Sequence, residues 1–299
     1  MRVFVTGATG FVGSAIVKEL IQAGHHVLGL ARSDASAKSL AAAGAEVHRG
    51  SLEDLTSLQR GAAEADGVIH TAFIHDFSDV VAAAARDRQA IDALGDALAG
   101  SQRPFVVTSA LGLVPQGRLV SEADGPDPRS AGAHRIASEA AALALAQRGV
   151  RANVIRLPPS VHGPGDYGFV PTLIRIARDK GESVYLGTGE HRWPAVHKLD
   201  AARLYRLALE QGRAGAVFHG VAETGVPTRE IAEVIGRGLQ LPVVAKPFEQ
   251  AAAHFTWLGR FFALDLHVES VRTQRELDWH PTQIGLIADL AEGHYFTQR

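Results

Sequence analysis

Val3-Phe4-Val5-Thr6-Gly7-Ala8-Thr9-Gly10-Phe11-Val12-Gly13-Ser14-Ala15-Ile16-Val17 decides the fold. A β-branched run ends at Thr6 and three glycines follow at G-x-x-G-x-x-G spacing. A helical pattern then starts at Phe11, with Val12, Ala15, Ile16, Leu20 and Ile21 on one side. Each glycine has a physical task. Gly7 lets the chain turn tightly, Gly10 keeps a side chain away from an approaching pyrophosphate, and Gly13 lets the helix pack close to the strand. The helix N-terminus offers free N–H groups and a positive dipole end to phosphates. Gly7, Ala8, Thr9, Gly10, Phe11, Val12 and Gly13 therefore form a candidate dinucleotide-binding turn.

Outward from this turn, short β-branched runs alternate with helical stretches. Strands are expected at 3–6, 26–31, 46–49, 67–71, 104–109 and 151–157, and helices at 11–23, 36–43, 80–99 and 133–147, with a helical turn region over 52–61. Such βαβα alternation predicts a parallel sheet covered by helices on both faces, wound right-handedly. After Leu157 the segment 158–167, rich in proline and glycine, is expected to hold no regular structure, and helices follow near 170–179, 199–211 and 228–239. Residues 111–130 make a second loop-rich segment. Both loops follow strands, so they should meet at the carboxyl edge of the sheet, where open α/β sheets bind ligands. The expected division is a dinucleotide-binding domain over 1–157 and a smaller substrate lobe over 158–299, interleaved with the last strands.

Composition narrows the function classes. The chain has 299 residues, 46% of them apolar, enough for a full core without staples. With no cysteine, a disulfide scaffold, a thiolate zinc site and a cysteine nucleophile are excluded. The net charge of −2 and the lack of a basic run give nucleic-acid binding no support. No apolar run reaches the roughly 18 residues of a membrane span, and the N-terminus has no signal-peptide pattern. A cytoplasmic setting and no membrane partner are the resulting expectations. No metal site is expected: His25 and His26 are adjacent at a strand start and point to opposite faces, and no H-E-x-x-H spacing occurs. No G-x-S-x-G elbow supports a serine hydrolase.

The second strand ends Leu30-Ala31-Arg32-Ser33-Asp34. An acid there holds a ribose 2′-hydroxyl, whereas an arginine accommodates a 2′-phosphate. Arg32 and Ser33 thus favour NADP over NAD, with NAD possible, and Asp34, slightly late, reads as a cap of the next helix.

With these residues assembled, the chain resembles the short-chain dehydrogenase/reductase superfamily, in its extended, epimerase/dehydratase-like branch. Thr6–Gly13 is similar to that branch's cofactor loop, 67–72 (GVIHTA) to its fourth strand, and 105–109 (FVVTS) to its fifth. Residues 156–166 (RLPPSVHGPGD) resemble the segment that closes over the nicotinamide, 194–202 (PAVHKLDAA) a valine-histidine and aspartate-alanine segment, and 277–281 (LDWHP) a tail motif. The resemblance implies a Rossmann-type doubly wound α/β fold with a C-terminal substrate lobe. It also implies a cofactor set that adds Ser51, Leu52, Thr71, Ala72, Phe73, Thr108, Leu157, Pro158 and Pro159, a small-molecule substrate, and a homodimer as one arrangement of the subunits.

The catalytic pattern departs from the superfamily, which uses a tyrosine and, four residues later, a lysine. The corresponding stretch, Ser130-Ala131-Gly132-Ala133-His134-Arg135-Ile136-Ala137-Ser138-Glu139, has neither. If Glu139 takes the frequent glutamate after the lysine, Arg135 fills the lysine position and Ala131 the tyrosine position. If His134 replaces the tyrosine, Ser138 replaces the lysine. The first register is preferred, because Arg135 still supplies positive charge and can hold the ribose. Ser109 or Thr108 is the candidate hydroxyl, with Ala110 there if the strand end shifts by one. Reducing a carbonyl needs a proton donor or fixed positive charge near the developing oxyanion. His134 and Tyr167 are the candidate donors. His162 and His197 read as structural, Trp193 as core, and His75 and Asp76 either line the substrate entrance or are solvated. The leading expectation is an NADP-dependent oxidoreductase acting on a small carbonyl or hydroxyl compound. Its alternatives are a cofactor-binding sensor or scaffold without turnover, and a sugar-nucleotide epimerase or dehydratase, whose chemistry also leans on the missing phenol.

Overall fold

A computed structural model describes residues 1–75 and 79–297. The N-terminal half alternates as the pattern predicts: β1 (Arg2–Thr6), α1 (Phe11–Gln22), β2 (His26–Ala31), α2 (Asp34–Ala42), β3 (Glu46–Arg49), α3 (Leu55–Ala63), β4 (Gly67–His70), α4 (Val80–Leu98) and β5 (Pro104–Ala110). A short β6 (Leu119–Val120), α5 (Ile136–Ala144) and β7 (Arg151–Leu157) follow. The C-terminal half holds β8 (Ser160–His162), α6 (Phe169–Lys180), β9 (Ser183–Leu186), β10 (Arg192–His197), α7 (Lys198–Gln211), β11 (Val217–His219), β12 (Glu223–Pro227), α8 (Thr228–Leu239) and β13 (Val243–Lys246). The chain ends with α9 (Ala251–Phe255), α10 (Gly259–Phe262), β14 (His267–Val268), α11 (Val271–Leu277) and α12 (Leu286–Ala291).

Seven strands form one parallel sheet in the order β11-β7-β5-β4-β1-β2-β3. The order runs outward from β1 in both directions, so the crevice beyond the carboxyl ends of β1 and β4 is the switch point where such sheets take ligands. Fully buried Val3, Phe4 and Val5 show why the N-terminal run is apolar on both sides: helices cover both faces. α1 packs on α7 on one face, and α3, α4 and α5 line the other. A separate core forms in the C-terminal half around Trp193, Phe255, Phe262 and Ile235.

Three expectations are corrected. The segment 158–167 does contain regular structure: Ser160–His162 pairs in parallel with Ala195–His197. The turn residues flank this strand rather than excluding it. The expected helix over 133–147 is three pieces, with 3₁₀ turns at Ala133–Arg135 and Leu145–Arg148 around α5. Gly132 causes the tight entry: its backbone sits on Gly112, and a Cβ there would lie 2.5 Å from the Gly112 carbonyl carbon. Finally, Ser33 and not Asp34 caps α2, accepting the Ser36 N–H, while Asp34 pairs with Arg49.

Candidate functional site

The glycine turn has the steric logic that its sequence suggests. Gly7 adopts φ +67°, and a Cβ on it would meet the Ala72 nitrogen at 2.7 Å. A Cβ on Gly13 would stand 2.0 Å from the Gly7 carbonyl oxygen, so α1 can lie on the turn only without a side chain there. The helix starts differ in their caps. α2, α3 and α4 are capped by the side chains of Ser33, Asp54 and Asp79, whereas α1 begins at Gly10 with no side-chain cap and no acid in its first turn. That leaves first-turn N–H donors for a ligand's phosphates.

Tyr167 reaches this helix start. Its ring is 71% exposed, and its hydroxyl accepts the Phe11 N–H at 3.1 Å. The Phe11 ring lies edge-on to Tyr167 and carries the Lys198 ammonium 4.9 Å from its centroid. The contact Tyr167 makes is therefore with the phosphate turn. Arg32 lies exposed at the end of β2 and makes no ion pair among the described residues.

A buried polar chain runs beneath the carboxyl edge of the sheet. Thr6 Oγ1 bonds His70 Nδ1 at 2.7 Å, and His70 Nε2 bonds Asp87 Oδ1 at 3.2 Å. A carboxylate accepts only, so Nε2 carries a hydrogen, while Nδ1 faces the Thr6 hydroxyl. Asp87 Oδ2 stands 3.5 Å from an Arg135 Nη2 that also donates to the Thr108 carbonyl at 2.8 Å. The guanidinium covers the Phe73 ring at 4.0 Å. Burial raises the Asp87 carboxyl, but the His70 bond and the Arg135 charge outweigh it and hold the group below its usual range. Burial lowers Arg135, and Asp87 opposes that shift.

The two candidate hydroxyls differ. Thr108 Oγ1 is engaged, donating to the His70 carbonyl and bonding the Tyr205 hydroxyl at 2.7 Å. Ser109 Oγ, one residue on and buried, has no hydrogen-bond partner among the described residues. Tyr205 is a phenol that sequence reasoning missed. Its burial in α7 pushes its pKa up, and its bond to Thr108 turns it into the core. His134 is half-buried, and burial, followed by the Arg135 charge, lowers its pKa. Ala131 is half-buried against the C-terminal core.

Glu139 forms a bidentate pair with Arg156, at 3.1 and 2.6 Å, with both side chains at most 3% exposed. This pair ties α5 to β7. Arg156 also donates to the Asp124 carbonyl and faces His219 Nε2 at 3.4 Å. His162 pairs with Asp289, and His197 Nδ1 accepts the Leu199 N–H at the start of α7. Trp193 is fully buried, its indole N–H on the Phe261 carbonyl. Thr71 donates to the Thr6 carbonyl, the Ala72 backbone lies against Gly7, and Phe73 carries the Arg135 guanidinium. Ser51 and Leu52 are half-buried after β3, and Leu157, Pro158 and Pro159 stand at the end of β7. His75 is exposed, and Asp76 lies outside the described residues.

A profile of the NAD dependent epimerase/dehydratase family matches residues 3–219, and the chain belongs to that family. It is 47% identical to an uncharacterized protein of Schizosaccharomyces pombe, over 99% of this chain and 100% of the relative. It is also 31% identical to the decarboxylating sterol-4-alpha-carboxylate 3-dehydrogenase of Dictyostelium discoideum, over 73% of this chain and 70% of the relative. Among solved structures it is similar to dTDP-glucose 4,6-dehydratase (DesIV) of Streptomyces venezuelae with NAD and TYD bound. That likeness has a TM-score of 0.80 at 21% identity and covers 99% of this chain and 96% of the other. The shared architecture is the seven-stranded Rossmann-type sheet.

Proposed function

We propose that this chain is an NADPH-preferring oxidoreductase that reduces a small carbonyl compound or oxidises the matching alcohol. The observation that carries the reading is the buried Arg135 cation bonded to the Thr108 carbonyl at the sheet edge, with the hydroxyl of the next residue, Ser109, unpartnered among the described residues. Gly7 to Gly13 and the uncapped start of α1 would hold the cofactor's pyrophosphate, and a Cβ at Gly7 or Gly13 would collide with backbone. Arg32 and Ser33 would face a 2′-phosphate, and Arg135 would supply positive charge near the ribose and the developing oxyanion. When bound, the nicotinamide supplies or accepts the hydride. Ser109 Oγ would orient the substrate oxygen. His134, kept neutral by burial and the nearby arginine, would accept a proton or pass one on.

A second reading, a cofactor-binding sensor without turnover, draws on Ala131, which stands where the resemblance expects a phenol. One experiment addresses both. NADPH and NADH are titrated into the protein and followed by fluorescence, and a panel of carbonyl compounds is then screened for oxidation of NADPH. NADPH is expected to bind at least tenfold tighter than NADH, and Arg32→Glu to abolish that preference. Equal affinities would remove the role of Arg32, binding by neither nucleotide would remove the oxidoreductase reading, and binding without turnover on any carbonyl would favour the sensor.

A further inference from the structure

The C-terminal segment holds a second cluster of ionisable groups away from the glycine turn. Asp289 lies on the last helix, Glu292 follows its end, and Gly293, at φ +85°, turns the chain so that His294 comes back beside them. One ligand atom from each of the three lies within 4.8 Å of the other two. The Asp289 side chain is 1% exposed. Its Oδ2 is satisfied by His162 Nδ1 at 2.8 Å and the Tyr295 hydroxyl at 3.4 Å. Among the described residues its Oδ1 has no hydrogen-bond partner and faces His294 Nε2 at 3.7 Å, a nitrogen that also has none. A buried carboxylate oxygen left unpartnered is costly, and a cation repays that cost.

We propose that Asp289, Glu292 and His294 form a binding site for a divalent transition ion of the zinc class. Metal–ligand bonds of about 2.1 Å at the tetrahedral angle put two ligand atoms about 3.4 Å apart, close to the observed Asp289–His294 separation. One imidazole with two carboxylates suits zinc-class ions better than the all-oxygen sets of calcium or magnesium. Glu292 is exposed and His294 half-buried, so an ion can enter from solvent. Behind the cluster, His162 Nδ1 holds Oδ2 of Asp289, as groups behind metal ligands do. The Tyr295 hydroxyl lies within hydrogen-bond reach of both Asp289 and a second buried carboxylate, Asp166. The same hydroxyl accepts the Gly163 N–H at 3.0 Å. The ion would thus brace the chain end against the loop between β8 and α6, the loop that carries Tyr167. D-x-x-E-x-H matches none of the common metal spacings, so sequence inspection passes over it.

The test uses the full chain, stripped with a chelator and desalted. Zinc is titrated in competition with a chromophoric chelator, and cobalt is added separately to read its visible bands. One tight equivalent is expected, weakened at least tenfold by His294→Ala and by Glu292→Gln, with the cobalt bands lost in both. His280→Ala, at an exposed histidine outside the cluster, should leave the affinity unchanged. Should His294→Ala disturb the fold by circular dichroism, the exposed Glu292→Gln carries the comparison. No stoichiometric equivalent, or an equivalent whose affinity both variants retain, would overturn the site and leave a proton between His294 and Asp289 as the occupant of the gap.

Discussion

His219 sets a pH limit on the stability of this fold. It ends β11 with no solvent exposure, Nδ1 at 2.9 Å from the Glu269 carbonyl and Nε2 at 3.4 Å from an Arg156 Nη1. Geometry fixes the tautomer: Nδ1 faces an acceptor and carries the hydrogen, whereas Nε2 faces a guanidinium and must stay unprotonated. Burial first, and the Arg156 charge with it, push the imidazole down to about 4 from 6.5, against the pull of the Glu269 carbonyl and of Glu122. The sign follows from linkage. A histidine with a depressed folded pKa contributes nothing unfavourable above pH 6.5. As pH falls from 6.5 to about 4, the unfolded chain takes a proton that the folded chain refuses. At about 1.4 kcal/mol per pH unit the loss reaches roughly 3 kcal/mol. Urea unfolding at pH 7.5, 6.5, 5.5 and 4.5, read by tryptophan fluorescence, measures it. His219→Gln keeps one donor and one acceptor without the titration, so its stability should fall less steeply below pH 6.5 than that of the parent. Other histidines shared by both proteins cancel in that difference. Parallel pH dependences would refute the reasoning and mean that Glu122 and Glu139 accommodate the imidazolium.

Further outcomes concern the proposed cofactor site. Gly13→Ala puts a methyl group against rigid backbone, so it should cost about 1–3 kcal/mol in thermal unfolding and weaken NADPH binding at least tenfold. Asp87→Asn keeps a partner for His70 but leaves Arg135 buried without its countercharge. A loss of about 3 kcal/mol in chemical denaturation is expected, partly restored by adding Arg135→Leu, and additive losses would sink the pairing. Tyr167→Phe removes the hydroxyl that occupies the Phe11 N–H. Stability should change by less than about 0.5 kcal/mol, because the ring is exposed, while NADPH binds about twofold tighter; weaker binding would make the hydroxyl a cofactor ligand instead.

The sheet was legible because its signals are local. A strand buried on both faces must be apolar throughout, and a glycine turn must place its glycines where backbone meets backbone, so 3–13 could be read from periodicity and spacing alone. The resemblance pointed to Glu139 as a residue with a fixed place, and the structure pairs it with Arg156 across on β7. Long-range partners were not legible. Nothing local in 80–98 marks Asp87 as the countercharge of a residue 48 positions later, and nothing around Tyr205 says that its phenol bonds Thr108. Segment 158–167 misled because its prolines and glycines are real turn signals, yet three residues between them suffice for a strand when β10 lies alongside.

The buried arginine bears on whether the site is altered or abandoned. Arginine and lysine are not interchangeable: an ammonium is a compact point charge on a flexible stem, whereas a guanidinium is planar, needs several acceptors and packs by its face. On the register that puts Arg135 at the lysine position, a position that had merely lost its task would drift toward an apolar or solvated residue, since a cation that is only 8% exposed is costly to keep. Here the surroundings match the guanidinium on three sides. The Thr108 carbonyl takes an N–H, the Asp87 carboxylate supplies the countercharge, and the Phe73 ring receives the flat face. Asp87 is itself held by His70, which is held by Thr6 at the end of the strand that leads into the glycine turn. The cation's position is therefore coupled to the turn through side chains from β1, β4 and α4. Among the described residues, Nε of Arg135, Oδ2 of Asp87 and Oγ of Ser109 are polar atoms without a hydrogen bond. On the function proposed above, the Arg135 cation held from these elements and the Ser109 hydroxyl would face an oxygen-bearing ligand at that edge.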